Sequence, residues 1–211
     1  LVTNSMRNSF LQQGSQDELK ELGKALKPFI LRRTKEAVLK DLPEKVEEIL
    51  YCDLSPKAMA DYNKLKEYYW TKLNEKISKE GIHNSRLDIL EAMLRLRQLA
   101  CHPGLIDPTQ KNAVSDKFEL LLDEIESVTK AGHKMLIFSQ FTSLLALLLP
   151  HLDRLKLKYE YLDGSTQNRQ ERVEKFQNDP RVQIFVLSLK AGGVGLNLTA
   201  ADYVFLLDPW W

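Results

Sequence analysis

The sequence predicts an α/β fold in which a parallel sheet carries helices on both faces, preceded by an α-helical hairpin. Beyond residue 113, short apolar segments alternate with amphipathic segments of helical period, which is typical of parallel strands joined by helices. Before residue 113, two long amphipathic segments joined by a polar turn indicate an αα-hairpin. We therefore divide the chain into an opening segment (residues 1–54), a helical protrusion (55–112) and an α/β domain (113–211).

The helices of the first half have recognisable start and stop residues. Ser15 is a candidate N-cap for a first helix, which Pro28 ends because proline cannot continue a helix. Ser55 followed by proline is a strong second start, since proline at the first helical position loses no hydrogen bond. This helix is expected to reach Gly81. A third is expected from residue 84 or 85 to residue 100, and residues 46–53 form a short extended connector.

The second half supplies four candidate strands, at residues 135–138, 159–162, 182–187 and 203–207. Ser115 is the candidate N-cap of the helix before the first strand, and Thr142 is that of the helix after it. The Thr142 helix is expected to bend or restart at Pro150, because an interior proline costs about 3 kcal/mol. A further helix carries Val173 and Phe176 on its buried face.

The composition limits the possible function classes. Of 211 residues, 44% are hydrophobic and 28% are charged, which is ordinary for a soluble globular protein. The formal net charge is +1, so nucleic-acid binding would have to depend on individually placed residues rather than on a general basic field. No apolar stretch approaches the ~20 residues of a membrane-spanning helix, so no membrane partner is expected.

The two cysteines, Cys52 and Cys101, predict reduced thiols in an intracellular protein. They form no CxxC pair, and a zinc site built from Cys101, His102 and His83 would lack a fourth ligand and a recognisable spacing, so no metal site is predicted. The N-terminus has no signal-peptide pattern and does not begin with Met. We therefore interpret the chain as part of a longer polypeptide.

Polar or glycine-rich residues follow three of the predicted strands. Strand one leads into Ser139-Gln140, strand two into residues 163–166 and strand three into residues 188–195. In open parallel sheets, ligands bind beyond the carboxyl ends of the strands, so these loops are expected to line one crevice. Ser165 or Thr166 is expected to cap the next helix, whose first N–H groups would then be available to a phosphate.

The glycine-rich loop after strand three allows close approach to a ligand, and Lys190 adds a cation beside it. It does not fit the P-loop pattern, because no Lys-Ser or Lys-Thr follows the glycines. It does not fit the dinucleotide pattern either, since Leu198 stands where the last glycine belongs. A nucleotide-binding metabolic enzyme is thereby disfavoured. Asp123 and Glu124 follow three leucines but lie in a helical pattern, so we interpret them as a solvated helix face rather than a magnesium site.

Taken together, these segments resemble the second lobe of the Swi/Snf family of superfamily-two helicase-like ATPases. The resemblance covers nearly the whole chain and is carried by blocks in the family's order. Residues 134–141 (KMLIFSQF) resemble motif IV, 161–166 (YLDGST) the following block, 188–198 (SLKAGGVGLNL) motif V, and 201–211 (ADYVFLLDPWW) the next block. Upstream, PFILRRTK at 28–35, LPEK at 42–45 and LRLRQLACHP at 94–103 resemble the inter-lobe region.

The resemblance implies a RecA-like lobe that closes on a first lobe of the same polypeptide, with ATP and Mg²⁺ at the joint and double-stranded DNA across both. The residues it assigns to DNA phosphates are Ser139, Gln140, Gly164, Ser165, Ser188 and Lys190. Those it assigns to the ATP joint are Gly193, Gly195 and Asn197, the last towards the ribose. Arg32 and Arg33 either brace the lobes or pair with Glu47 or Glu48, and Trp210 and Trp211 are interpreted as packing residues.

One departure from the family concerns Leu189-Lys190, where many members carry Thr-Arg. Leucine offers no hydroxyl to a phosphate, so that contact is lost or is made by Ser188, and lysine keeps the charge without the bidentate fork of arginine. The spelling Ser-Leu-Lys is typical of bacterial members, which would place the protein at the nucleoid. A eukaryotic member would be nuclear.

The resemblance further implies an ATP-driven DNA translocase that remodels protein–DNA complexes on a substrate the sequence does not identify. The first lobe and motif VI, with its arginines, lie outside these 211 residues, so this chain alone is expected to be inactive as an ATPase. The alternative is a non-catalytic interaction module, in which the hairpin docks a protein partner and the α/β domain serves as a scaffold.

Overall fold

The computed structural model describes residues 16–30, 45–193 and 195–208, and the chain divides into two compact units, residues 1–49 and 50–211. In the first unit, helix α1 spans Gln16–Leu26 and ends before Pro28, as predicted. The predicted cap Ser15 and the residues Arg32, Arg33, Trp210 and Trp211 lie outside the described residues. The subdivision of the chain at residues 54 and 112 stays a prediction.

The second unit opens with the predicted helical hairpin, made of α2 (Pro56–Asn84) and α3 (Arg86–Cys101). The hydroxyl of Ser55 accepts a hydrogen bond from the Ala58 N–H at 3.4 Å, so the Ser-Pro start is confirmed. Gly81 has φ +79° and ψ 162°, which interrupts helical geometry at the residue where the sequence predicted the turn. Lys76 and Asp88 join the two helices with an ion pair of 2.6 Å.

Four parallel strands form the sheet, in the order β2-β3-β1-β4. They are β1 (Met135–Ser139), β2 (Tyr159–Leu162), β3 (Ile184–Ser188) and β4 (Tyr203–Leu206). The helices are α4 (Asp116–Lys130), α5 (Thr142–Arg154), α6 (Arg169–Asn178) and the single turn α7 (Leu189–Gly192). The predicted α/β fold with a parallel sheet is therefore confirmed.

Helices cover both faces of the sheet at its central strands, because successive residues of these strands enter two different cores. Three residues of the edge strand β4, namely Tyr203, Val204 and Leu206, are exposed. Ile137 on β1 and Val186 on β3 pack with α4 and α5 on one face, where Phe118, Ile125, Leu144 and Leu148 are fully buried. Leu136 and Phe185 pack on the other face against Val173, Phe176 and Ala191 of α6 and α7. Asp123 is exposed and Glu124 half-buried on α4, as expected for a helix face.

Helix α5 corrects the predicted cap and excludes one of the two alternatives predicted at Pro150. Thr142 is its first residue rather than its cap, and Phe141 takes the cap position without a side-chain hydrogen bond. The helix also continues through Pro150 to Arg154 instead of restarting. Proline removes one backbone hydrogen bond, but Leu148 and Leu152 on either side of it are fully buried. Their burial outweighs the local cost of the proline.

The hairpin is joined to the sheet by three consecutive residues at the start of α4. The Ser115 hydroxyl accepts from the Phe118 N–H at 3.2 Å, as predicted, and donates to the Cys101 carbonyl at 3.1 Å. Asp116 accepts from the Ser55 N–H at 2.9 Å. The Lys117 ammonium donates to the Leu207 carbonyl at 2.8 Å, so both ends of the hairpin and the end of β4 meet at this junction.

Candidate nucleic-acid interface

The ends of β1 and β3 lie side by side, with Ser139 paired in register with Ser188. Leu162, at the end of β2, pairs with Leu187. Because all the strands are parallel, the loops that follow β1, β2 and β3 leave the sheet at the same edge, which we call the carboxyl edge. The sequence predicted this common edge from the alternation of strands and helices.

The loop after β1 is a turn that is stabilised by hydrogen bonds to two buried side chains. The Ser139 hydroxyl is fully buried and accepts from the Phe141 N–H at 2.9 Å. The Gln140 N–H donates to both carboxylate oxygens of Asp208, each at 3.2 Å. Asp208 follows β4 and was not among the predicted site residues, although an aspartate directly after an apolar strand at the carboxyl edge is a usable signal.

The Gln140 side chain has an unusual position. Its amide nitrogen is buried and has no hydrogen-bond partner among the described residues. The other buried side-chain nitrogen or oxygen without a hydrogen bond in the described part of the chain is a Glu160 oxygen, which lies 2.5 Å from the Lys175 ammonium in an ion pair. An unsatisfied buried donor is costly, so the Gln140 amide is suited to an acceptor supplied from outside the chain.

Asp163 organises the loop after β2. One carboxylate oxygen accepts from the N–H of Ser165 at 2.9 Å and from its hydroxyl at 2.7 Å, and the Thr166 hydroxyl lies 3.1 Å from the same oxygen. The other accepts from the Tyr161 hydroxyl at 3.0 Å. The hydrogen bond from the Ser165 side chain is the largest cause that lowers the pKa of Asp163, to about 2. At neutral pH the loop is therefore held by an ionised carboxylate.

This loop corrects the predicted helix cap. Helix α6 begins at Arg169 with Asn168 in the cap position, so neither Ser165 nor Thr166 is the N-cap. The reason is that Asp163 takes up the Ser165 N–H and both hydroxyls in a local turn, which competes with helix formation. An open depression of about 320 Å³ lies over this loop, and Gly164 and Ser165 are exposed.

The loop after β3 begins with the helical turn α7. The Ser188 hydroxyl accepts from the Ala191 N–H at 3.2 Å and caps this turn, while the Ser188 side chain is buried. Lys190 is exposed, and the described residues contain no hydrogen bond or ion pair for its ammonium. A β-carbon on Gly192 would lie 2.5 Å from the Phe138 ring, so this glycine, which the site prediction did not include, is required by packing.

The predicted ATP-joint residues follow α7. Gly193, Gly195 and Asn197 are exposed, and the Asn197 carbonyl accepts from the Gln177 amide at 3.1 Å. Gly195 has φ +70° and space for a β-carbon, so its backbone conformation favours glycine. The described residues contain no group of three or more His, Cys, Asp or Glu side chains that could hold a metal ion. None of the helices in the described part of the chain is long and apolar enough to cross a membrane.

The comparisons with known proteins agree with the motifs. Residues 3–105 match the SNF2-related domain, and residues 116–211 match the helicase conserved C-terminal domain. The SWI/SNF chromatin-remodeling complex subunit snf22 of Schizosaccharomyces pombe is 35% identical over 92% of this chain, which spans 12% of that protein. Nuclear protein STH1/NPS1 of Saccharomyces cerevisiae is 35% identical over 92% of this chain, which spans 15% of it. The chain thus corresponds to a small part of each of these relatives.

Two solved structures from Sulfolobus solfataricus superpose on nearly the whole chain. The SWI2/SNF2 ATPase core domain has a TM-score of 0.72 and 33% identity, with 97% of this chain and 43% of that chain covered. The same ATPase core in complex with dsDNA has a TM-score of 0.71 and 32% identity, with 99% and 46% covered. The motifs, the parallel sheet and both comparisons lead to one conclusion: the chain belongs to the Swi/Snf family of superfamily-two helicase-like ATPases.

Proposed function

We propose that this chain is the C-terminal motor-lobe portion of an ATP-driven translocase on double-stranded DNA, which remodels protein–DNA complexes. Its carboxyl edge contacts the DNA backbone, and Lys190 carries that contact. The supporting observation is the Lys190 ammonium itself, which is exposed at this edge with no partner in the described part of the chain. A relative of known structure was solved with dsDNA, which is consistent with this role.

The other cations of this edge have interactions within the protein, which is why Lys190 is singled out. Arg169 donates to the Asp163 carbonyl at 3.3 Å. Arg172 forms a 2.6 Å ion pair with the buried carboxylate of Glu160. The loops after β2 and β1 follow the strands on either side of β3. Gly164 and Ser165 are exposed there, and Gln140 contributes an amide nitrogen that is buried and has no acceptor in the described part of the chain. Contacts of these groups with phosphates read the charge of the backbone and not the base sequence.

The measurement that tests the DNA contact is duplex affinity against salt concentration, made on the full product of the open reading frame. Replacing Lys190 with alanine should weaken binding equally for all duplex sequences and reduce the slope of log affinity against log salt by about one unit. Lys158→Ala is the matched control, because this exposed lysine precedes β2 and so lies at the opposite edge of the sheet. If Lys190→Ala leaves both affinity and slope unchanged, the carboxyl edge is not the DNA surface.

ATP belongs to the same proposal. The exposed backbone at Gly193 and Gly195 and the exposed Asn197 fit a nucleotide held between this lobe and a first lobe. The 211 residues contain no G-x-x-x-x-G-K-[ST] sequence, so the main binding of ATP and Mg²⁺ is assigned to the first lobe. The 211-residue chain should show no ATP turnover above a buffer control, with or without DNA, and measurable DNA-stimulated turnover would contradict this division.

The alternative function, a protein-interaction module, has one observation in its favour. Leu87 and Leu90 on α3 are 80% and 61% exposed, and Trp70 on α2 is 67% exposed. An interaction module without motor function predicts that Lys190→Ala changes neither DNA affinity nor DNA-stimulated ATP turnover. The salt-dependence experiment therefore also separates the two functions. An intracellular location, in the nucleus or at the nucleoid, is part of the proposal and is supported by relatives such as the Nuclear protein STH1/NPS1.

A further inference from the structure

Asp208 joins the ends of two neighbouring strands at the carboxyl edge. The last backbone hydrogen bond between β4 and β1 runs from the Leu207 N–H to the Phe138 carbonyl, at 3.0 Å. Beyond this hydrogen bond, the regular backbone pairing of β4 with β1 ends. There the Asp208 carboxylate takes the place of the next backbone acceptor and binds the Gln140 N–H through both oxygens at 3.2 Å.

The Asp208 carboxylate is in an environment that fixes its position. Asp208 is only 5% exposed. Lys117, on α4, donates to the carbonyl of Leu207 at 2.8 Å, which anchors the residue before Asp208.

The turn that Asp208 holds is the one that carries Gln140. The Ser139 hydroxyl binds the Phe141 N–H within the turn, and the Arg97 guanidinium lies 5.9 Å from the Phe141 ring centroid. Neither of these contacts involves the Gln140 N–H, which donates to Asp208 instead. The Gln140 side-chain amide nitrogen, which is buried and has no acceptor among the described residues, belongs to this same turn.

We propose that Asp208 is a positioning residue, which holds the Gln140 turn in the orientation in which its amide donates to a DNA phosphate. The inference rests on the proposed function, because it assumes that the carboxyl edge binds DNA. A negative charge near a phosphate would by itself weaken DNA binding. We expect Asp208 to strengthen DNA binding instead, because its carboxylate is buried and accepts from the Gln140 N–H.

The sign of the mutational effect tests this proposal. Asp208→Ala should weaken duplex affinity about 3- to 10-fold, the effect of losing a properly placed hydrogen bond. Asp208→Asn keeps an acceptor oxygen for the Gln140 N–H and should keep affinity within about 2-fold of wild type. If the charge alone mattered, both variants would bind DNA more tightly. Asp202→Ala is the matched control, since Asp202 immediately precedes β4 at the opposite edge and its side chain is 57% exposed.

A double-mutant cycle distinguishes positioning from a general loss of stability. Gln140→Ala should weaken binding, and adding Asp208→Ala to it should cause little further loss, because both changes remove the same contact. If the fold-losses in affinity of the two single variants multiply in the double variant, the positioning role is overturned. If Asp208→Ala does not fold, Asp208→Ser, whose shorter hydroxyl does not reach the Gln140 N–H, replaces it in the cycle.

The outcomes also separate this inference from the proposed function. If Lys190→Ala and Gln140→Ala both leave duplex affinity unchanged, the DNA assignment of the edge fails and the inference fails with it. If these two variants weaken binding while Asp208→Ala matches wild type, the proposed function stands and only the positioning role of Asp208 is overturned.

Discussion

The carboxylate of Asp163 binds the hydroxyl of Ser165 at 2.7 Å and its backbone N–H at 2.9 Å. Both bonds go to one oxygen, and the second oxygen accepts from Tyr161. Burial of the phenol, as the largest cause, and the hydrogen bond to the same carboxylate raise the pKa of Tyr161 to about 12. Asp163 is therefore the residue that determines the shape of the loop after β2, and Ser165 is held by it.

We expect Asp163→Asn to destabilise the protein by about 1 kcal/mol at neutral pH, because an amide replaces an ionised acceptor of several hydrogen bonds. The pKa of Asp163 in the folded protein, about 2, lies below its ordinary value of 3.8. The carboxylate thus contributes its full stability above about pH 4 and loses it as the pH falls through about 2. Urea unfolding of wild type and variant between pH 2 and pH 7 should show the difference shrinking over that window. Asp123→Asn, on an exposed helix position, is the control and should show no such convergence.

A substitution at Gly164 should affect DNA affinity without affecting the stability of the fold. A β-carbon there would meet no atom within 4 Å, and the residue does not have positive φ. Gly164→Ala should therefore leave the free energy of unfolding within about 0.5 kcal/mol of wild type. If a phosphate approaches the loop backbone, the added methyl group should nevertheless weaken duplex affinity. Gly195→Ala is the comparison, since φ is +70° there and the substitution should cost about 1 kcal/mol of stability. Unchanged duplex affinity in Gly164→Ala would remove Gly164 from the predicted contact set.

Gly192 is expected to be intolerant of a side chain for a packing reason. Its β-carbon would lie 2.5 Å from the Phe138 ring, so Gly192→Ala must displace that ring and should cost about 1–3 kcal/mol. The neighbouring Gly193 provides the control, because the nearest atom to its β-carbon outside the adjacent residues would be the Leu189 carbonyl oxygen, at 3.6 Å. Denaturant titration of both variants tests this, and equal stabilities would contradict the contact with Phe138.

His102 should make the protein sensitive to mild acid. Its Nδ1 accepts from the Gly104 N–H at 2.9 Å and its Nε2 donates to the Ala113 carbonyl at 2.9 Å, so the buried ring is neutral. Burial, as the largest cause, lowers the pKa of His102 below its ordinary value of 6.5. For a group with a lowered folded pKa, stability is complete above the unfolded pKa and declines as the pH falls below about 6.5, where the unfolded chain takes up the proton.

The measurement is the urea midpoint between pH 5 and pH 8. We expect the midpoint to decrease as the pH is lowered in wild type, and to decrease less in His102→Gln. This variant should also be less stable by about 1–3 kcal/mol at neutral pH, because the buried Gly104 N–H and the Ala113 carbonyl lose their partner. Burial lowers the pKa of His151 as well, so part of the acid sensitivity should remain in the variant. His83→Gln, at an exposed position, is the control. A wild-type midpoint that does not change over this range would rule out the buried neutral histidine.

The loop after β2 illustrates where local prediction failed. Ser165 and Thr166 are good N-cap residues, and the sequence around them favours a helix start. The Asp163 carboxylate instead binds the Ser165 N–H and the Thr166 hydroxyl in a local turn. Helix α6 consequently begins only at Arg169. At Pro150, where the sequence predicted a bend or a restart, α5 does not restart, and the buried leucines around the proline keep the helix continuous. In both cases a neighbouring interaction outweighed the propensity of the single residue.

By itself, the sequence determined the alternation of strands and helices, the starts at Ser55 and Ser115, the break at Gly81 and the common edge for the three polar loops. Each of these depends on hydrogen bonds or hydrophobic periodicity within a few residues, which a linear pattern contains. Only the tertiary structure decided that β4 lies beside β1, so that Asp208 reaches Gln140 across 68 positions of sequence, and that Phe138 packs against Gly192. Those contacts depend on strand order and on the register between strands, which are set by packing of the whole sheet.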